Sequence, residues 1–202
     1  MGLFRDVFGP SKDEIWQQLS NEMNARFHSA GFWNGSKVQA FHGQWTVTLD
    51  TFTTGGKHRR RYTRLRAPYM NSDGFQFTIY RAGFFSDLGR LLGMQDVEVG
   101  HAEFDEQFVI QGNDEKKLVA LFANARIRAL LGAQPTVYLT VKDDEGWFGE
   151  TFPQGVDELY FKARGTIKDL DQLRQLYALF AEVLDQLTRI GSAHESDPGI
   201  TL

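Results

Sequence analysis

Three features of the sequence predict an α+β fold with mainly antiparallel sheet. Apolar residues recur at helical spacing in an N-terminal, a central and a long C-terminal stretch. Apolar and polar residues alternate with a period of two in the segments between. The strands come in runs and do not alternate strictly with helices.

The elements follow in order along the chain. Leu3, Phe4, Val7 and Phe8 would share one side of a short helical turn that Gly9-Pro10 ends. Ser11 and Glu14 stand three residues apart, as in a capping box, in which the hydroxyl takes an early backbone N–H and the carboxylate reaches back. Ile15, Trp16, Leu19, Met23 and Phe27 then make one buried stripe, which predicts a helix over 12–29, closed by Gly31 and Asn34-Gly35. From Lys37 the period becomes two. Trp45, Val47 and Leu49 alternate with polar residues, Gly55-Gly56 is a hairpin signal, and Phe75, Phe77 and Ile79 alternate after a turn over 71–74. Together these predict a three-stranded meander whose middle strand is the arginine-rich stretch 58–67.

The glycine-punctuated segment 82–100, with a possible short helix at 86–92, is the place for a subdivision of the domain. Beyond it, Phe104, Phe108 and Ile110 mark a strand, and Asn113-Asp114 offers a helix cap. Leu118, Leu121, Phe122, Ala125 and Leu130 give a central helix ending near Gly132. Residues 136–142 and 157–164 read as strands joined through the acidic turn 143–146 and the aromatic loop 147–153. Leu173, Leu176, Tyr177, Phe180, Leu184 and Leu187 form the clearest helical stripe, with Asp169 as its cap. Residues 1–190 thus read as one α+β domain, and the polar segment 191–202 as a disordered tail.

Cysteine is absent, so a disulfide framework, a thiolate zinc site and a cysteine nucleophile are excluded. The first residues, MGLFRDVFGPS, contain an acid and no long apolar core, so neither a signal peptide nor a spanning helix is expected. Asp6 breaks the myristoylation pattern. A single turn at 3–8 buries too little to anchor to a membrane, and packing on its own domain is the expectation. A cytoplasmic location fits these features.

The charge is segregated. Net charge is -4, yet the ten residues 57–66 hold six basic residues and no acid, which leaves 16 basic against 26 acidic residues elsewhere, or -10. On a regular strand Arg59 and Arg61 face one side with Thr63, Leu65 and Ala67, while Arg60, Tyr62, Arg64 and Arg66 face the other. Arginines on both faces cannot all enter a two-sided core, because an unpaired buried charge costs about several kcal/mol. The half nearer Gly55 is therefore expected to project as a β-ribbon.

Three uses compete for it. The arginines could guard a sheet edge and pair with surplus acids such as Asp50 across the hairpin. They could hold an acidic protein surface, a small anion or a second copy of the chain. They could also grip nucleic-acid phosphates, with Tyr62 stacking on a base. Trp147 and Phe148 in the aromatic loop are further candidates for partner contact.

His101, Glu103 and Asp105 alternate in GHAEFDEQF, and on a strand they would share a face. They are the candidate ligands or acid-base groups of a metal-dependent enzyme alternative. The acidic turn 143–146 lacks calcium-loop spacing, and no phosphate cradle, dinucleotide fingerprint or nucleophile elbow occurs. No cofactor is expected.

The segment 100–114, with Phe104-Asp105 and Phe108-Val109 leading into a capped helix and Arg126-Ile-Arg-Ala-Leu-Leu131 closing it, resembles uncharacterised bacterial proteins that share an F-D-x-x-F-V strand followed by a D/N-capped helix. The resemblance covers residues 95–190. It implies a bacterial source and a domain of unknown function, and brings no site residues with it. The sequence therefore points to a non-enzymatic binding or scaffold domain that uses its basic ribbon against an acidic partner.

Overall fold

The computed structural model describes residues 9–31, 35–55, 59–83, 95–143, 152–200 and 202. The turn at 3–8, the helix at 86–92 and the pair Trp147 and Phe148 lie outside the described residues. The first element is helix α1 (Lys12–Glu22), and its capping box is formed: Glu14 N–H donates to Ser11 Oγ at 3.3 Å and Ser11 N–H to Glu14 Oε2 at 2.9 Å. The helix ends seven residues before the expected 29. Asn24 adopts a left-handed backbone, φ 51°, and Ala25 N–H returns to Ser20 O at 2.8 Å. Phe27, the last residue of the expected helical stripe, sits on strand β1 (Arg26–His28) and still packs against the core.

Strands β2 (Lys37–His42), β3 (Trp45–Thr54) and β4 (Arg60–Asn71) follow as antiparallel neighbours. Trp45, Val47 and Leu49 are buried, as their alternation predicts. The remaining elements are β5 (Phe77–Arg81), β6 (Gln95–Asp96), α2 (Ala102–Gln107), β7 (Phe108–Gly112), α3 (Glu115–Phe122), α4 (Ala125–Gly132), β8 (Tyr138–Lys142), β9 (Val156–Arg164), α5 (Leu170–Arg189) and β10 (Ala193–His194). Among the described residues the strands form one antiparallel sheet of order β1-β2-β3-β4-β9-β8-β5-β7-β6, with β10 on β4. The fold is α+β.

The expected meander is corrected here. Its third strand, β5, pairs with β7 and β8, and β9 takes the place beside β4 through nine register positions, from Tyr62↔Arg164 to Met70↔Val156. The pairing buries Leu159, Phe161 and Ala163 next to Ala67, Leu65 and Thr63 on one face. A nine-position register that sets Thr63, Leu65 and Ala67 against Ala163, Phe161 and Leu159 outweighs the proximity in sequence that a short turn gives β5.

Helix α5 packs into the same core, and its Tyr177 hydroxyl donates to Val38 O on β2 at 3.1 Å. Gln172 N–H donates to the Asp169 cap at 2.7 Å, and Leu173, Leu176, Tyr177, Phe180, Val183, Leu184 and Leu187 are buried. Trp16 Nε1 donates to Ile167 O at 3.2 Å and ties α1 to the segment entering α5. The central helix is two helices, because the Asn124 side chain accepts from Arg126 and Ile127 N–H and so starts α4 anew. The expectation of a disordered tail over 191–202 is likewise revised: Ser192 and Ala193 are buried, β10 pairs with β4, and Ser72 N–H donates to Ser192 O at 3.0 Å.

Candidate binding surface on the arginine strand

Strand β4 has two halves with different neighbours. From Tyr62 onward it lies between β3 and β9. Among the described strands Arg60 and Arg61 pair with β3 alone, opposite Thr54 and Thr53. Protection of a sheet edge therefore does not describe the strand as a whole, since most of its length is interior. The junction is Thr63, fully buried, whose Oγ1 donates to Gly165 O and accepts from Ile167 N–H, each at 2.9 Å. Gly165 N–H donates to Arg61 O at 2.8 Å and closes the end of the β9 contact.

In the interior half the expected pairing with Asp50 is present. Arg64 stands directly opposite Asp50 and forks onto it, Nε to Oδ1 at 2.6 Å and Nη2 to Oδ2 at 3.2 Å. Arg66, only 5 % exposed, adds Nη2 to Oδ2 at 2.7 Å. One carboxylate thus offsets much of the charge of two guanidinium groups in a partly buried place. The Arg64 guanidinium also lies 5.1 Å from the Phe52 ring centre, and Phe52 stacks on Tyr62 at 5.3 Å and 17°. One face of Tyr62 is therefore taken by Phe52, which weakens its candidacy as a stacking platform.

In the projecting half Arg59, Arg60 and Arg61 are exposed, and among the described residues none of them makes an ion pair. Arg59 and Arg61 line a shallow cavity of about 560 Å³ with Thr53, Thr54 and Gly55. Register also adds two cations that sequence reasoning passed over. Lys162 lies opposite Arg64 and Arg164 opposite Tyr62. Burial lowers the Lys162 ammonium from its ordinary value, and its Nζ sits 4.3 Å from the Tyr138 ring centre. The i, i+2 spacing of Lys162 and Arg164 put both on one face, but a strand about a hundred residues away gives no local sign that this face continues the arginines.

The strand expected at the alternative site is corrected. Residues 102–107 form helix α2, not a strand, so His101, Glu103 and Asp105 do not share a face. Gly100, φ 82°, turns the chain, and the Asp105 carboxylate accepts Val99 N–H at 3.0 Å and His101 N–H at 2.9 Å. Its oxygens bind the backbone of the turn. Among the described residues no group of three His, Cys, Asp or Glu side chains is placed to hold a metal ion. His101 and Glu103 instead rim a cavity of about 450 Å³ over Phe104 and Phe108, with Arg128 at its side.

Comparison with known proteins gives no matching family model, no matching curated protein and no matching solved structure. Among the described residues no helix is long and apolar enough to cross a membrane.

Proposed function

We propose that this chain is a non-enzymatic binding domain that presents the projecting half of β4 to an acidic protein surface. The observation that supports this reading is the contrast along one stretch: Arg64 and Arg66 are engaged by Asp50, while Arg59, Arg60 and Arg61 are exposed and, among the described residues, make no ion pair. Exposed arginines on a two-stranded projection keep their forked donors for an incoming carboxylate. Lys162 and Arg164 extend the positive surface along the face of Arg60 and Tyr62. The remainder of the chain is acidic, so the field is local and favours a partner with a matched acidic patch over a long phosphate track.

The test is a titration of poly-L-glutamate by fluorescence anisotropy, with the protein and its Arg59→Ala/Arg60→Ala/Arg61→Ala variant side by side. Three exposed ion pairs at about 0.5 kcal/mol each predict about a tenfold loss of affinity in the variant. Equal binding by both proteins removes the reading. A parallel titration with a single-stranded oligonucleotide checks the runner-up, which requires affinity to fall with salt at a log-log slope of about -0.7 per phosphate engaged.

A further inference from the structure

The projecting ribbon has two faces, and they differ in what already engages their polar groups. Alternation sets Arg59 and Arg61 on one face and Arg60 on the other, and the register places Thr53 opposite Arg61 and Thr54 opposite Arg60. On the Arg60 face the hydroxyl is taken: Thr54 Oγ1 donates to Arg60 O and accepts Arg60 N–H, each at 3.3 Å. On the Arg61 face Thr53 is exposed, and among the described residues its hydroxyl makes no hydrogen bond.

The cavity of about 560 Å³ belongs to this second face. Arg59 and Arg61 line it with Thr53, Thr54 and Gly55, and Arg60 does not. Neither a carboxylate nor an aromatic ring lies among these lining residues. Two strand steps separate the α-carbons of Arg59 and Arg61 by about 7 Å, so their guanidinium groups repel one another unless an anion lies between them.

The charge and the donors select the anion. A carboxylate brings one negative charge and two oxygens, which the fork of a single arginine already fills. A phosphomonoester brings a charge of about -1.5 to -2 at pH 7 and three strong acceptor oxygens. Two forks and a hydroxyl donor match the second set. No acid on the wall opposes a dianion, and no ring is offered on which a nucleotide base would stack.

We propose that Arg59, Arg61 and Thr53 bind a phosphorylated side chain within the acidic segment of the partner. This inference rests on the reading of the ribbon as a binding surface for an acidic protein, and it divides the labour between the two faces. Arg60 supplies general attraction on one side, and the Arg59 and Arg61 face supplies the phosphoryl preference on the other.

The experiment measures fluorescence anisotropy of the full chain with two labelled peptides that differ at one position, Glu-Glu-phosphoserine-Glu-Glu and its all-glutamate counterpart, at constant ionic strength. The phosphopeptide is expected to bind about tenfold more tightly, the equivalent of one further charge-assisted hydrogen bond. Arg59→Ala and Arg61→Ala are each expected to erase that ratio, and Thr53→Val to reduce it. Arg60→Ala removes the same charge from the opposite face, so it is expected to weaken both peptides alike and keep the ratio.

Equal affinity for the two peptides would overturn the phosphoryl site. The proposed function would still stand if poly-L-glutamate binding is lost in the Arg59→Ala/Arg60→Ala/Arg61→Ala variant, so the two failures are distinguishable. A ratio that survives both Arg59→Ala and Arg61→Ala, or that falls as far in Arg60→Ala, would overturn the assignment to this face. Inorganic phosphate is the last probe. Displacement of the phosphopeptide by phosphate at the peptide's own concentration would overturn the peptide source and identify the free ion as the ligand, whereas a need for large excess supports a phosphorylated partner.

Discussion

The two halves of β4 carry the same residue type to opposite ends. At the interior half, Arg64 and Arg66 share Asp50 and lie under a neighbouring strand on each side. At the projecting half, Arg60 and Arg61 pair with β3, and Arg59, Arg60 and Arg61 are exposed, with no ion pair among the described residues. Composition treats the five as one basic cluster, whereas the sheet divides them at Thr63. The lesson is that what an arginine is for depends on its cross-strand neighbour: an acid opposite makes it structural, and an empty edge leaves it available.

The sharpest way to break this comparison is Asp50→Asn. It leaves two guanidinium groups facing a neutral amide in a place where Asp50 is 15 % and Arg64 21 % exposed. Removing one partner of a largely buried charge cluster costs about 3 kcal/mol. Urea denaturation should read this as a lowered midpoint at unchanged slope. An effect under about 1 kcal/mol would mean that the interior arginines hold themselves without Asp50, and the distinction between the halves would fail. Thr63→Val comes next. It keeps the shape but strips the buried Ile167 N–H of its acceptor, at about 1–3 kcal/mol, and so tests whether Thr63 fixes where β9 leaves the strand. Replacing Arg59, Arg60 and Arg61 with alanine should change stability by no more than about 0.5 kcal/mol, as substitutions away from caps, cores and buried pairs do. The same variant is the one expected to lose probe affinity about tenfold. If it unfolds instead, the projecting half is structural too.

How far these features are legible in the sequence depends on how local their causes are. The start of α1, the cap and stripe of α5, and the inward Trp45, Val47 and Leu49 rest on neighbours within a few residues, and periodicity exposes them. Even the Asp50 pairing is readable, because a hairpin fixes who stands opposite whom. The β4–β9 register is not, since alternation assigns faces to each strand but no partner across a hundred residues.

Two local signals were present and outweighed. Phe104 and Phe108 are four apart, a helical spacing, and their rings meet at 4.7 Å; alternation of His101, Glu103 and Asp105 pointed the other way. Asn124 inside an apolar series is a cap type, and it starts a second helix. The basic surface was therefore half visible: the arginines were, and Lys162 and Arg164 became part of it only through a long-range pairing.

Lys162 gives the smallest and most selective test of that pairing. Opposite Arg64 and over Tyr138, its ammonium is held below the ordinary 10.5 by burial. Between its folded value and 10.5 the unfolded chain binds more protons at this group than the folded chain, so the group's contribution makes stability rise with pH in that window. Stated from the other direction, its favourable share is present above 10.5 and is lost as pH falls through the folded value. Tyr138 acts with the opposite sign: burial raises its phenol above 10.0, so its contribution is lost as pH climbs beyond that point. The rise attributable to Lys162 should therefore be read below 10.5 as the difference between the urea midpoints of the protein and of Lys162→Met. The methionine keeps the apolar stem over Tyr138 and has no proton to lose, so its profile should be flatter there. Parallel profiles would mean that Lys162 is solvated as an ordinary surface lysine and is not held in the buried place over Tyr138.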